Sequence, residues 1–341
     1  MNSRRFLVTG GTGFIGSALV RGLIGAGHRV RSFDNDTRGH ARRLADIADT
    51  VELVQGDIRD AAAVDAAVDG VDCVCHLAYI NGTEFFYRMP DAVLDVAVRG
   101  ITNVIDSSIR HGVGELILAS SSEVYQSPPK VPTDESAPLV VPDVLNPRFS
   151  YGGGKIISEL MTINYGRKHF KRAVIVRPHN VFGPDMGWEH VIPQFALRMH
   201  RLVQGNPSEP IEFPIRGNGS ATRSFIFVDD FTAGLLRVID FGEHMNVYNI
   251  GTSLELSAAE LAHRVAACFG REIRILPGDV VPGETARRCP DIRKLKALGF
   301  TPTIDFQDAL STTVKWYSDH AHLAPDHVLG THARSVFEGD Y

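Results

Sequence analysis

Tyr151 and Lys155 stand four residues apart, in Ser150-Tyr151-Gly152-Gly153-Gly154-Lys155, at the head of an apolar run with helical spacing. Residues four apart share one face of a helix, so a phenol and an ammonium would occupy one microenvironment. A phenol with a pKa of about 10 is a poor base at neutral pH, and a neighbouring cation favours its phenolate. Each of the three glycines costs about 0.5–1 kcal/mol against alanine in a helix, so a close backbone approach is expected there. Upstream, Ala119-Ser120-Ser121-Ser122-Glu123-Val124-Tyr125 ends a strand-like run. If the extended alternation continues, Ser121 and Glu123 project to the same side and join Tyr151 and Lys155 in a proton-handling set. Near the C-terminus, Arg287-Arg288 is suited to a diphosphate, which a guanidinium fork grips in two places.

The elements that must position these groups begin with a strand over residues 5–8 and a helix over 14–23. Between them lies Thr9-Gly10-Gly11-Thr12-Gly13-Phe14-Ile15-Gly16, a turn that brings bare backbone N–H groups and a helix N-terminus up to a pyrophosphate. The next strand, over 29–33, ends at Asp34, eighteen residues beyond Gly16. An acid at that point accepts hydrogen bonds from the adenosine ribose and repels a 2′-phosphate, which favours NAD over NADP; Arg38 and Arg42 would act against that preference. Strands over 51–55, 71–77, 115–121 and 172–177 alternate with helices over 61–68, 91–111 and 151–165. That alternation predicts an α/β fold, a Rossmann-type doubly wound parallel sheet with its ligands at the carboxyl ends of the strands.

After residue 177 the alternation decays, and a smaller C-terminal substrate-binding lobe is expected over 178–223 and 251–320. A segment near 224–250 would complete the NAD-binding unit of 1–177, and 321–341 would be a tail. The proline-rich stretch 128–147 is expected to form a wall of the site.

Among 341 residues, 44% are hydrophobic and 22% charged, with a net charge of −5. That balance, without a long basic run, excludes nucleic acid as the main partner. No apolar stretch is long enough to span a membrane, and four cysteines without framework spacing fit the cytoplasm. Cys73 and Cys75 read as buried thiols in a strand rather than as metal ligands, so no metal is expected.

Taken in order, these motifs resemble the extended short-chain dehydrogenase/reductase family, in its nucleotide-sugar epimerase, dehydratase and decarboxylase branch. Gly10, Gly13 and Gly16 match the cofactor turn that Phe14 and Ile15 complete, Asp57-Ile58 the adenine contact, and His76-Leu77-Ala78 the signature of the fourth strand. Ser121, Tyr151 and Lys155 match the catalytic triad, while Asn180 and Arg223 resemble positions that hold the sugar diphosphate, with Ser122 placed on the sugar. Tyr79 departs from the usual small residue, and Asp95 from a frequent Asn; both are expected near the nicotinamide or a structural water.

The resemblance implies NAD, a nucleotide-diphosphate sugar, a homodimer built on helices 91–111 and 151–165, and transient oxidation at sugar C4 with Tyr151 as base. From the 4-keto sugar the expected outcome is epimerisation. The alternative is loss of water, or loss of carbon dioxide from a sugar acid, using Glu123, with Arg288 near the acid. His190, after Gly187-Trp188, is a candidate acid partner to Glu123, although its residue type and position read more simply as a surface loop histidine. A non-enzymatic NAD-binding module and an ordinary two-substrate oxidoreductase are the readings from other classes.

Overall fold

The computed structural model describes residues 3–205, 210–279 and 285–325. Strand β1 (Arg5–Thr9) is buried from Phe6 onward and leads through the glycine turn into helix α1 (Phe14–Gly25). Then follow β2 (Arg29–Asp34), β3 (Val51–Gln55), α2 (Ala61–Val68), β4 (Cys73–His76), the short α3 (Thr83–Arg88), α4 (Pro90–Arg110), β5 (Glu115–Ala119), α5 (Ser150–His169) and β6 (Arg172–Pro178). Beyond these lie β7 (Val181–Phe182), α6 (Val191–Gly205), β8 (Ile211–Ile215), β9 (Thr222–Ser224), β10 (Ile226–Phe227), α7 (Val228–Phe241) and β11 (Asn246–Ile250). The chain closes with β12 (Glu255–Ser257), α8 (Ala258–Cys268), β13 (Ile273–Pro277), β14 (Arg287–Arg288), α9 (Arg293–Ala297) and α10 (Phe306–Asp319).

Seven strands form one parallel sheet in the order β11-β6-β5-β4-β1-β2-β3. The order reverses direction at β1, so the carboxyl ends of β1 and β4 flank a crevice of the kind that admits a nucleotide. Apolar residues on the two faces of each strand fill two core clusters, Phe6, Val8 and Val174 on one side and Leu7, Val74 and Ile175 on the other. Such continuous burial is what a sheet covered by helices on both faces requires. Strand β11 closes the sheet beside β6, so a segment far along the chain returns to the first lobe. A third core cluster, which includes Phe182, Phe195, Phe213, Leu261 and Tyr317, packs α6, α8 and α10 into the second lobe.

Several boundaries differ from expectation. The fifth strand stops at Ala119, and residues 122–125 turn as a single 3-10 helix capped by the Ser121 hydroxyl, which accepts from Glu123 N at 3.1 Å. The alternation that was to bring Ser121 and Glu123 together therefore does not exist; a local serine cap replaces it. Residues 128–147 are not among the residues lining the site. They lie instead against both lobes, with Thr133 bridged to Pro290 and the Glu135 carboxylate accepting from Asn249 N, on β11 of the central sheet, at 2.8 Å. Cys73 and Cys75 are buried free thiols on β4. Among the described residues no group of three or more His, Cys, Asp or Glu could hold a metal ion, and no helix is long and apolar enough to cross a membrane. Pro282, part of the arginine-rich stretch of the sequence, and residues 326–341 of the expected tail lie outside the described residues.

Candidate active site

One cavity of about 570 Å³ runs along the carboxyl ends of β1, β2, β4 and β5 and on to the second lobe. At its floor, Gly10 has φ +71°, and a Cβ there would stand 2.8 Å from Ala78 N, so both conformation and space demand glycine. A Cβ on Gly16 would come within 1.9 Å of Gly10 O, which locks the head of α1 against the turn. Gly13 is the N-cap and has no side chain to offer, so the first-turn N–H groups of α1 face the cavity without a side-chain cap. Thr9 ties the two flanking strands together: its hydroxyl is 2.8 Å from His76 Nδ1 and accepts from the N–H of Leu77 and Ala78 at 3.2 Å. Burial holds His76 down to a pKa of about 3.

Asp34 lines the cavity, accepting from Thr12 N at 3.1 Å and Asp36 N at 3.0 Å. Asp57 and Ile58 line it further along, with hydrogen bonds from Arg59 holding the Asp57 carboxyl well below the usual range. The donors of the α1 turn, an acid at the end of β2 and a second acid after β3 together fit a dinucleotide. Arg38 and Arg42, expected to oppose the Asp34 preference, both reach onto the second lobe, and Arg38 also lines the cavity beside Asp34. Arg38 pairs with Glu189 at 3.2 Å, Arg42 reaches Asp185 at 3.4 Å, and Arg43 grips Asp185 at 2.9 Å and Thr12 O at 3.1 Å. These contacts bridge the two lobes, and Arg38 and Arg43 are themselves part of the cavity lining.

Deeper in, Tyr151 and Lys155 occupy adjacent turns of α5, both buried, with Ser121 and Glu123 on the same cavity wall. The spacing placed them together, but the electrostatics differ from the expectation of an acidified tyrosine. Burial raises the Tyr151 pKa, outweighing a hydrogen bond from Ser121, and the Glu123 charge adds to the rise. Burial also brings Lys155 down to about 7, against the opposing pull of Glu159. The Lys155 ammonium donates to Ala119 O at 2.7 Å and sits 3.8 Å above the Tyr79 ring, whereas the Tyr151 ring is 5.9 Å away. Tyr151 is itself boxed in by Phe86, stacked at 4.8 Å, and by Tyr79, edge-on at 5.1 Å.

Two of the three glycines of α5 have identifiable neighbours. A Cβ on Gly152 would meet Gln126 Nε2 at 2.9 Å, and one on Gly154 would meet the Tyr79 hydroxyl at 2.2 Å; Gly153 faces only Val141 at 3.5 Å. Tyr79, a departure from the resemblance, is thus in contact with the lysine and the tyrosine alike. Asp95, the other departure, lies elsewhere: on α4 it pairs with Arg59 and Arg99, and it does not line the cavity.

The far wall comes from the second lobe. Arg288 is buried and pairs with Glu123, and its Nη2 donates to Thr285 Oγ1 at 3.1 Å. Burial works to raise the Glu123 pKa, yet the guanidiniums of Arg288, Arg148 and Arg223 outweigh it and the carboxyl stays below its ordinary value. Arg288 Nε is buried with no partner. Arg287 does not join it: neighbouring strand residues point to opposite faces, and Arg287 pairs outside with Glu255 at 2.7 Å. Asn180, with φ +37°, donates to Ser224 O at 2.7 Å, and it lines the cavity together with Ser122 and Arg223. His190 also lines it, which corrects the surface-loop reading. Burial lowers its pKa, with Arg38 and Glu189 as its charged neighbours, so the partner the structure gives Glu123 is Arg288.

Sequence reasoning missed the network behind this wall. Arg177 donates to both Glu159 carboxylate oxygens at 2.9 and 2.6 Å and to the Tyr125 hydroxyl at 2.7 Å. Tyr125 in turn donates to Asn249 at 2.9 Å, and Asn249 lies 3.2 Å from His179 Nε2. Glu159 stands one turn after Lys155, a spacing that could have pointed to it. Arg148, which also lines the cavity, had no signal beyond its place before Tyr151.

A family model described as the NAD dependent epimerase/dehydratase family matches residues 6–251. The chain belongs to that family. NAD is therefore its cofactor, and the glycine turn, Asp34 and Lys155 are residues that could hold it. A dTDP-glucose 4,6-dehydratase from Streptomyces niveus is 31% identical over 329 residues, covering 93% of each chain. Among solved structures, a dTDP-glucose 4,6-dehydratase from Streptomyces venezuelae with NAD and TYD bound superposes with a TM-score of 0.82 at 29% identity, covering 94% of this chain and 99% of that one. A UDP-glucose 4-epimerase from Thermotoga maritima with UDP-glucose gives 0.82 at 26% identity, covering 93% and 99%.

Proposed function

We propose that this epimerase/dehydratase oxidises the C4 hydroxyl of a nucleotide-diphosphate sugar and then acts at C5 and C6 through Glu123, as a lyase of the dehydratase kind. One observation carries the reading: Glu123, ion-paired with the buried Arg288, lines the same cavity as Tyr151 and Ser121. Inversion at C4 needs a group to handle the hydroxyl proton and a hydride acceptor; it has no use for an ion pair there, and desolvating one is expensive. The dehydratase relatives agree with this choice, whereas the epimerisation expected from sequence alone shares only the first step.

When bound, NAD supplies the hydride acceptor at C4 and a cationic ring that favours the phenolate. Tyr151 takes the C4 hydroxyl proton, and Ser121 donates a hydrogen bond to the oxygen as it becomes a carbonyl. Lys155 stands one turn behind as the source of positive charge. The C4 ketone acidifies C5–H, and the Glu123 carboxylate, kept ionised by three guanidiniums, accepts that proton. The C6–O bond then breaks, the departing oxygen leaving as water with the proton from Glu123, and the C5=C6 double bond left behind would take back the borrowed hydride at C6 and a solvent proton at C5, so that no net oxidation remains. Arg223 and Asn180 are placed to hold the diphosphate.

A second reading has its own observation. Arg288, with an unpartnered Nε and with Arg148 and Arg223 nearby, makes a cationic pocket suited to a C6 carboxylate, whose 4-keto acid would lose carbon dioxide. Incubation with UDP-, GDP-, CDP- and dTDP-sugars in deuterated water separates the outcomes: loss of water with deuterium at C5, loss of carbon dioxide, or inversion without label. Inversion without label, unaffected by Glu123→Gln, overturns the lyase reading.

A homodimer through α4 and α5 is part of the proposal, supported by exposed apolar residues on both helices: Leu94, Val98, Ile157 and Leu160. Sedimentation equilibrium at micromolar concentration tests it.

A further inference from the structure

Tyr79 touches every part of the proton-handling pair. Its ring face lies 3.8 Å beneath the Lys155 ammonium, and its ring meets Tyr151 edge-on at 5.1 Å. Its hydroxyl donates a long hydrogen bond, 3.4 Å, to Tyr151 O and fills the space that a Cβ on Gly154 would need. An aromatic face beneath an ammonium attracts it electrostatically, the more so when water is excluded.

We propose that Tyr79 is a positioning residue whose ring holds the Lys155 ammonium in place behind Tyr151, and that residue 154 is glycine because the Tyr79 hydroxyl occupies its side-chain space. The groups facing Lys155 come from three directions. Tyr151 and Glu159 lie on α5, His76 and Tyr79 at the end of β4, and the Ala119 carbonyl at the end of β5. Only Glu159 among them carries a compensating negative charge, and it pairs with Arg177. The ammonium is therefore fixed by one carbonyl and one ring, and the ring is the part that also keeps water away. Without it, water reaches the ammonium, which then titrates closer to an ordinary lysine.

The proposal rests on the reading of Tyr151 and Lys155 as the proton-handling pair, and its test does not depend on turnover. In protein carrying ¹³C at lysine Cε, the Lys155 resonance is assigned with Lys155→Met and titrated in the parent, Tyr79→Ala and Tyr79→Phe proteins. Tyr79→Ala is expected to raise the Lys155 pKa by about one unit or more, while Tyr79→Phe, which keeps the ring, stays near the parent. An unchanged Lys155 titration in Tyr79→Ala overturns the proposal. If Tyr79→Ala fails to fold, Tyr79→Leu serves in its place with the opposite sign: it fills the space and keeps water out but has no π face, so the Lys155 pKa falls below the parent's, and an unchanged titration overturns the proposal. Where nucleotide sugar is turned over, Tyr79→Ala should lower kcat about tenfold or more with little change in KM and move the alkaline limb of the pH profile upward. A Lys155 shift in a protein that turns over no nucleotide sugar would leave this proposal standing and remove the functional one; turnover with an unshifted Lys155 would do the reverse.

Discussion

Two arginine–glutamate pairs lie within reach of the same short turn, residues 122–125, and their surroundings differ sharply. Arg177 and Glu159 have side-chain exposures of 4% and 6%, and every nitrogen of that guanidinium has a partner, among them the Tyr125 hydroxyl at the end of the turn. Arg288 and Glu123 stand at 4% and 27%; one guanidinium nitrogen is unpartnered, and the carboxylate opens onto the cavity. A fully satisfied buried network fixes geometry, while a partly satisfied one is the kind of site that a ligand completes. The first pair holds α5, β6 and the turn in register; the second is available to a substrate.

The largest effect expected from this contrast is on rate. Glu123→Gln should lower product formation by about 10²–10⁴-fold, the range for removing a positioned acid–base group, while cooperative unfolding is retained. Steady-state assays with the sugar nucleotide identified by the panel measure it, and a loss of under tenfold would break the contrast. Glu159→Gln should do the opposite. Stranding the Arg177 charge in the interior is expected to cost about 3–5 kcal/mol of stability, with the rate per folded molecule within about tenfold; urea denaturation and assays on the folded fraction separate the two.

A smaller effect comes from the histidine attached to the satisfied network. His179, like His76, is held by burial at about 3. As pH falls from 6.5 toward 3, the unfolded chain binds protons that the folded one refuses, so each histidine removes up to about 1.4 kcal/mol of stability per pH unit. Replacing His179 with Asn should flatten that slope by about one proton in urea denaturation at successive pH values. The smallest is a gain: Gly153→Ala, where a Cβ meets only Val141, should stabilise α5 by about 0.5–1 kcal/mol, whereas Gly154→Ala collides with Tyr79 and Ala97. Thermal unfolding of both variants decides whether the glycine triplet serves α5 or its neighbours.

The parallel sheet and its nucleotide crevice were legible because each strand and helix carries its own local pattern, and the Gly10 turn sits between two such elements. Tyr151 and Lys155 were legible because four residues on a helix fix their relation. Their charge states were not, since burial depends on Phe86 and Tyr79, which other segments supply. Glu123 was placed in the right cavity by an alternation that ends before it; a serine cap, invisible to a period-two pattern, does the placing. Arg177–Glu159 and Arg38–Glu189 join residues 18 and 151 apart, and no local rule links either pair.

The clasp formed by Arg38 with Glu189 and by Arg43 with Asp185 carries a consequence for opening. Arg38 and Arg43 line the cavity while gripping the second lobe, so widening the gap between the lobes there means breaking both pairs. Both pairs are largely withdrawn from solvent, so salt should loosen them less than it loosens the exposed ion pairs elsewhere on the protein.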